Sequence, residues 1–374
     1  MGTEPKSVLT TIDEVASRCD INEKKGRSLL SEGVIPSIFT GNGVRKRYYT
    51  TDEFIEYSKE LIVRNSQGDL NEDSSDKEIF LSKYANSSIH SVSSKKAEII
   101  TLSNLKGGVG KTTNTINIAI ALVKLGQRVL VVDMDAQAQS SRYFKKVSYK
   151  GNSILSLFES IMDRDSEPLD KEKILSKIVR IEDTGVTDVT LDILPSEISL
   201  TKKLETAKMT MIRPEKMLLD VISHIRDEYD FILIDTPPYP GLSLQLSFYA
   251  ADKVVLVTEA EEFSIEGLES TIEEIIDIQT HTEKSLEIES IFISAYRKLK
   301  HQVLNRDTII DIAIDKLGGN VSFQIVKDSS TVGIAQNLQL PIIGYKKKPR
   351  DVLTLSQPFF NYAQKIILNR NFGE

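Results

Sequence analysis

Cysteine is nearly missing from this chain: Cys19 stands alone among 374 residues, and there is no tryptophan. One thiol excludes an internal disulfide and suits a reducing compartment. It also excludes a cysteine-clustered metal or iron–sulfur site built from this chain alone. No apolar run reaches the length of a bilayer span, and the start M-G-T-E-P-K-S does not read as a signal peptide. The expectation is therefore a cytoplasmic protein with no membrane partner. Positive charge is not in excess either, since 47 Lys and Arg face 54 Asp and Glu for a net charge of −7. That argues against a uniformly basic nucleic-acid coat and leaves local basic patches open. With 40% hydrophobic residues the chain can build a full core, and its length predicts a large domain plus a smaller one.

The most informative stretch is L-K-G-G-V-G-K-T-T, Leu105 to Thr113. It follows the apolar run I-I-T-L-S and precedes N-T-I-N-I-A-I-A-L-V-K-L, whose apolar spacing is helical. Strand, glycine-rich turn and helix is the setting of a P-loop. Backbone N–H groups of Lys106, Gly107, Gly108, Val109, Gly110, Lys111, Thr112 and Thr113 can surround phosphate oxygens there, helped by the positive helix end. Lys111 is expected on the terminal phosphates, and the Thr112 hydroxyl on Mg²⁺.

Two further buried-looking runs end in carboxylates. Val129 to Val132 is continuous rather than alternating, which suits a parallel strand covered on both faces. It leads to Asp133 and Asp135, which either orient an attacking water, hold a water of the Mg²⁺ shell, or cap the following turn. Phe231 to Ile234 is a second such run and ends in Asp235, a Walker B arrangement that reaches Mg²⁺ through water. Strand candidates at 253–260, 288–296 and 321–326 alternate with helical patterns, as does V-T-L-D-I-L-P-S. K-I-L-S-K-I-V-R, Lys173 to Arg180, reads as helix. The order predicts an α/β fold, a mostly parallel sheet flanked by helices.

Upstream, T-I-D-E-V-A-S-R-C-D opens with a capping-box spelling, Thr11 then Glu14, and a second helix runs from Glu23 through Leu30. A T-G-N-G turn and the basic strand V-R-K-R-Y-Y follow, then a further helix from T-T-D-E-F-I-E-Y. Two short helices and a basic hairpin form a winged helix-turn-helix pattern. Lys24, Lys25, Arg27 and Ser28 would face the major groove, with Arg45, Lys46 and Arg47 on the backbone. The other reading is a small protein-docking module with solvated charges. Residues 11–50 resemble the helix-turn-helix of MerR-like and excisionase-like proteins, down to an R-x-Y-x-x-x-D spelling that appears here as R-Y-Y-T-T-D, Arg47 to Asp52. Polar, acidic and serine-rich stretches flank a short helical candidate, Glu78 to Ala85. The domain expectation is 1–60 for the DNA-binding module, 61–94 for a linker and 95–374 for the nucleotide domain.

From about Ala97 to Tyr345 the detailed spelling resembles the ParA family of partition ATPases, within the deviant Walker A class. K-G-G-V-G-K-T-T carries the early signature lysine, Lys106; D-M-D-A-Q matches the family's D-x-D-P-Q with Ala136 for proline; D-T-P-P continues Walker B. E-A-E-E-F-S-I-E-G-L resembles the segment after the next strand, and in the late segment Gln339 and Leu340 replace a glycine and a lysine. The resemblance implies a Mg²⁺-dependent ATPase that holds ATP or ADP and is weak alone. ATP would be sandwiched in a homodimer, with Lys106 reaching the other subunit's phosphates. It implies Asp135 as the residue placing water, with Asp133 in support, and a ParB-like centromere-binding partner that stimulates turnover.

Family members of this length often carry an N-terminal helix-turn-helix that represses the partition operon. The resemblance thus implies specific operator DNA through the first module, non-specific DNA in the ATP state, and a place on the nucleoid or plasmid. Arg297, Lys298 and Lys300, or Lys346, Lys347, Lys348 and Arg350, are candidate patches for the non-specific contact, the latter equally a solvated charge run. A nucleotide-switched transcriptional regulator is the alternative. A MinD-like positioning ATPase is disfavoured by the weakly basic C-terminal stretch.

Overall fold

The computed structural model describes residues 9–10, 12–31, 38–39, 46–49, 59, 62–63, 96–144, 151–163, 165–282, 284, 286–317, 321–347 and 349–372. Thr11, Arg45, the T-G-N-G turn, the start of the helix after Thr50, the Glu78 to Ala85 segment and Lys348 lie outside them.

At the N-terminal end, β1 (Leu9–Thr10), α1 (Ile12–Arg18), α2 (Glu23–Ser31), β2 (Ile38–Phe39) and β3 (Lys46–Tyr49) follow one another. Asp20 takes a left-handed conformation (φ 57°) that stops α1, and the Asn22 side chain accepts the Lys25 N–H at 2.9 Å to start α2. Val15, Ala16, Cys19 and Leu29 are buried, so both helices turn an apolar side inward. β3 pairs antiparallel with β2, as the hairpin expectation requires, and also with β1, which was not expected.

From residue 96 onward the chain runs β4 (Glu98–Ser103), α3 (Lys111–Lys124), β5 (Val129–Asp133), α4 (Ile154–Met162), α5 (Lys171–Leu175), β6 (Val179–Ile181), β7 (Leu191–Leu194), α6 (Leu200–Thr210), α7 (Met217–Ser223), β8 (Phe231–Asp235), α8 (Leu242–Ala250), β9 (Lys253–Glu259), α9 (Glu262–Thr282), β10 (Glu287–Tyr296), α10 (Lys300–Leu317), β11 (Ser322–Lys327), α11 (Ser330–Asn337) and α12 (Pro349–Phe372). These eight strands lie in the order β11-β10-β9-β4-β8-β5-β7-β6. Every described pairing in this sheet is parallel except β6 with β7.

Alternation along the strands assigns side chains to the two faces of the sheet. Ile100, Leu102, Val131, Leu233 and Phe292 point to the face covered by α3 and α12. Ile99, Leu130, Val132, Ile232 and Ile234 meet α4, α6, α7 and α8, while Val254, Leu256, Ile291 and Ile293 meet α9 and α10. All five residues of β5 and of β8 are buried, as expected of central strands in a sheet covered on both sides. Gly126 (φ 80°) ends α3: its N–H bonds Val123 O and the Gln127 N–H bonds Leu122 O, closing the helix with a left-handed turn.

Two segments differ from the sequence reading. The helix expected over Lys173–Arg180 is only the short α5, after which Val179–Ile181 becomes an antiparallel edge strand. The β-branched run Ile178-Val179 fits a pleated edge better than a further helical turn. The weakly basic C-terminal stretch belongs to the 24-residue α12. Its apolar side is packed in the core, where Phe359 stacks on Phe292 at 6.0 Å and Tyr362 meets the same ring edge-on at 5.4 Å. No described helix is long and apolar enough to cross a membrane.

Candidate nucleotide site

Strand order brings the candidate residues together. β4, β8 and β5 are consecutive neighbours, so the turn after β4 and the carboxylates ending β8 and β5 share one sheet edge. In that register Asp235 lies opposite both Leu102 and Asp133. Ligands bind at this C-terminal edge in open α/β sheets.

The turn itself is glycine-dependent at two points. Gly108 and Gly110 have φ of 82° and 92°, a region that penalises a side chain. A Cβ on Gly110 would also press the Asn114 amide at 3.2 Å, whereas a Cβ on Gly108 would face open space. Gly107 and Gly108 are exposed and α3 begins at Lys111, so the loop presents its backbone to an open mouth at a helix start. Lys111 is buried, and its ammonium donates to Lys106 O at 3.0 Å. Burial lowers its pKa, against the opposing pull of Asp235 and Asp135.

Asp235 is fully buried. One of its oxygens accepts from the Thr112 hydroxyl at 2.7 Å and from Ser140 at 2.6 Å. Its other oxygen, Oδ1, is buried with no hydrogen-bond partner. A bare buried carboxylate oxygen next to a P-loop threonine is what the water shell of a divalent cation would satisfy, so the donor set fits Mg²⁺ held by Thr112 and, through water, Asp235. Burial raises the pKa of Asp235, and the hydrogen bonds from Ser140 and Thr112 oppose that rise.

Asp133, which ends β5, and Asp135 just beyond it differ in their surroundings. Asp133 is fully buried and turned onto its own loop, accepting from the Asp135 N–H at 3.0 Å and from the Ser141 N–H and hydroxyl at 2.8 and 2.6 Å. Its pKa is raised by burial first and by Asp235 second. Asp135 accepts the Gln137 N–H through one oxygen, at 2.9 Å, and sits within the field of Lys111. Burial raises its pKa as well. Of the pair, Asp133 is taken up by hydrogen bonds from its own loop, while Asp135 lies within the field of Lys111.

Lys106 is half-buried, and its ammonium donates to Ser264 Oγ on α9 at 2.7 Å. Val109 is buried beneath the loop. Thr113 accepts from Gln336 of α11 at 2.6 Å. Neither Ser140, Ser264 nor Gln336 announces itself in the sequence as part of the site; serine and glutamine carry no signal until the fold brings them near. Gly267 had a signal, in the E-G-L spelling. A Cβ there would meet Asn104 Oδ1 at 2.8 Å and the Lys106 Cβ at 3.0 Å, so it permits close approach of α9 to the loop.

The candidate DNA residues lie elsewhere. Lys24, Lys25, Arg27 and Ser28 are all exposed on α2. Arg27 is partly committed, donating to Glu23 at 2.7 Å through Nε and lying 3.6 Å from Asp13. Lys46 and Arg47 belong to β3. Arg297, Lys298, Lys300, Lys346 and Lys347 are exposed, with Arg297 paired to Asp328 at 2.6 Å. Among the described residues no group of His, Cys, Asp and Glu forms a metal-binding cluster.

Comparison with known proteins agrees with this geometry. Residues 97–288 match the family described as AAA domain. The chromosome partitioning protein ParA of Myxococcus xanthus is 30% identical over 211 residues, 55% of this chain and 69% of that protein. The sporulation initiation inhibitor protein Soj of Bacillus subtilis is 28% identical over 197 residues, covering 53% of this chain and 72% of the relative. Among solved structures, a cobyrinic acid a,c-diamide synthase from Mycobacterium smegmatis with bound ADP and magnesium superposes with a TM-score of 0.57 at 20% identity, over 74% of this chain and 97% of that one. A plasmid partition protein from Borrelia burgdorferi gives 0.52 at 21%, over 72% and 100%. At such identities the structures speak for the fold alone. Because the AAA-domain match spans more than half of the chain and the ParA likeness covers most of that relative, the protein belongs to the ParA/Soj/MinD-like family of deviant-Walker-A P-loop ATPases.

Proposed function

We propose that the protein is a Mg²⁺-dependent ATPase of DNA partition, which pairs two copies around ATP and reads DNA through its first module. The single observation carrying the reading is the bare Asp235 oxygen beside Thr112 at the foot of an intact P-loop. Mg²⁺, when bound, would supply charge neutralisation between the phosphates. Lys111 and the backbone from Lys106 to Thr113 hold the phosphates, and Asp135 positions the attacking water. Lys106 serves the phosphates of a second copy. Names of relatives support the partition role: a chromosome partitioning protein, Soj and a plasmid partition protein share this family or fold.

The division into a DNA module over 1–60, a linker over 61–94 and an ATPase domain over 95–374 belongs to the same proposal. Exposed Lys24, Lys25, Arg27 and Ser28 on α2 support specific duplex reading, and operator binding by this module would give autoregulation. A ParB-like centromere-binding protein is the proposed activator, and the nucleoid or plasmid the proposed place of work. A MinD-like membrane role is disfavoured because the apolar side of α12 is already used in the core.

The test is ATP turnover with and without duplex DNA and a ParB-like centromere-binding protein. Partition activity predicts slow turnover alone and at least tenfold stimulation by the pair. Unstimulated turnover together with tight operator binding would make the nucleotide-switched regulator the better reading.

A further inference from the structure

The Lys106 side chain does not project freely from the loop. Its ammonium donates to Ser264 Oγ at 2.7 Å, and Ser264 is fully buried in the first turn of α9. Thr258 at the end of β9 donates to Ser264 O at 3.1 Å and fixes that turn in place. The carboxylates of Glu259 and Glu261 also face the Lys106 ammonium closely enough to feel its charge. Further along the helix, the Thr271 hydroxyl accepts the Leu105 N–H at 2.9 Å, and Gly267 leaves room for the loop to lie against α9. Three successive turns of α9 thus hold the start of the P-loop, and the first of them holds its lysine.

This inference rests on the proposed service of Lys106 to a second copy. We infer that Ser264 is a latch: it keeps Lys106 on its own subunit, and pairing of two copies requires that hydrogen bond to be exchanged for one to the other copy's phosphate. One ammonium cannot hold the cis position on a buried serine and reach across an interface at once. The latched arrangement therefore lowers the fraction of chains ready to pair, and the apparent pairing constant falls by that fraction for each subunit. Nucleotide phosphate is the ligand able to overcome it, because a polyanion outbids a neutral hydroxyl for the ammonium. The latch makes pairing depend on nucleotide rather than on concentration alone. Ser264 is a positioning residue here, acting through Lys106.

The full chain with Ser264→Ala, Lys106→Ala and both changes tests this by sedimentation equilibrium with a non-hydrolysable ATP analogue and Mg²⁺. Ser264→Ala is expected to tighten pairing about tenfold, in the range of ordinary coupling between sites, and the ¹⁵N-labelled Lys106 ammonium is expected to become more mobile in the monomer. Structural damage would loosen pairing, so a gain is diagnostic. Pairing that is unchanged or weaker in Ser264→Ala, while Lys106→Ala abolishes it, overturns the latch and spares the trans role of Lys106. Pairing that survives Lys106→Ala overturns the trans role, and the latch with it.

Discussion

Thr112 Oγ1 donates to Asp235 Oδ2 at 2.7 Å, joining the first turn of α3 to the end of β8 across 123 residues of sequence. Ser140 donates to the same oxygen, so one lobe of the carboxylate is saturated while the other, Oδ1, is bare. A fixed and half-satisfied carboxylate at full burial is an unfavourable thing for a fold to keep without a use.

Asp235→Asn is expected to separate that use from its cost. Turnover should fall at least a hundredfold, and isothermal titration should show nucleotide binding that no longer strengthens when Mg²⁺ is added. Without nucleotide, the same variant should unfold at higher denaturant, by about 1–2 kcal/mol, because a buried charge next to Asp133 is gone. Loss of stability together with retained Mg²⁺ dependence would contradict the assignment.

Asp135→Ala should behave differently. One oxygen of Asp135 accepts the Gln137 N–H, and the side chain lies within the field of Lys111 without bonding Asp235 or Thr112. Nucleotide affinity is expected within about threefold of the parent while turnover drops by about a thousandfold, in keeping with removal of a group positioned for one chemical step. Equal losses in binding and turnover would mean that Asp135 holds the ligand rather than the water.

Far from this edge, Glu289 at the start of β10 joins α12 to the sheet. It accepts from Tyr362 at 2.8 Å, pairs with Lys253 at 3.3 Å and lies 3.8 Å from Lys365, all at low exposure. Lys253 also pairs with Glu98 at 2.6 Å. Removing Glu289 with Glu289→Ala leaves two ammonium groups short of their buried partner, so chemical denaturation should show a loss of about 3–5 kcal/mol. Nucleotide affinity of the folded fraction should stay near the parent value, since this network lies at the opposite edge of the sheet.

Lys284 offers a pH test. Burial pushes its ammonium down to about 8, with Asp252 opposing and Arg226 reinforcing, and it donates to Tyr249 O. The unfolded chain keeps an ordinary lysine near about 10.4. Between those values the unfolded state binds more protons than the native one, so stability rises with pH across that window. The gain is about 1 kcal/mol once water access is allowed for. Lys284→Met should remove that rise, as judged by denaturation midpoints at pH 7.5 and about 10.

For the first module, deleting residues 1–60 is expected to abolish sequence-specific operator protection in footprinting while nucleotide binding persists. Intact protection after the deletion would remove α2 from DNA reading.

Local spelling determined much of this protein. The P-loop is contiguous, so Lys106 to Thr113 could be read without any contact, and Val129 to Val132 and Phe231 to Ile234 show as buried strands because their apolar runs are unbroken. The carboxylates that end those strands were legible for the same reason. Where local preference was ambiguous the reading slipped: Lys173–Arg180 has helical spacing, yet pairing with β7 draws Val179–Ile181 into an edge strand. Likewise, the C-terminal stretch reads only as weakly basic, whereas in the fold Phe359 and Tyr362 pack on Phe292.

What only the tertiary structure decided is which groups face one another. The order β9-β4-β8-β5 sets Asp235 beside Thr112 and turns Asp133 inward onto Ser141, with Asp235 and Asp135 both within the field of Lys111. Ser140, Ser264 and Gln336 enter the site in the same way, from loops and helices distant along the chain. Short-range pattern specifies a strand, a turn or a helix through neighbours a few residues apart. A hydrogen bond between residues 123 or 158 apart exists only after the sheet has chosen its strand order, because burial of apolar faces makes that choice and the polar contacts follow from it.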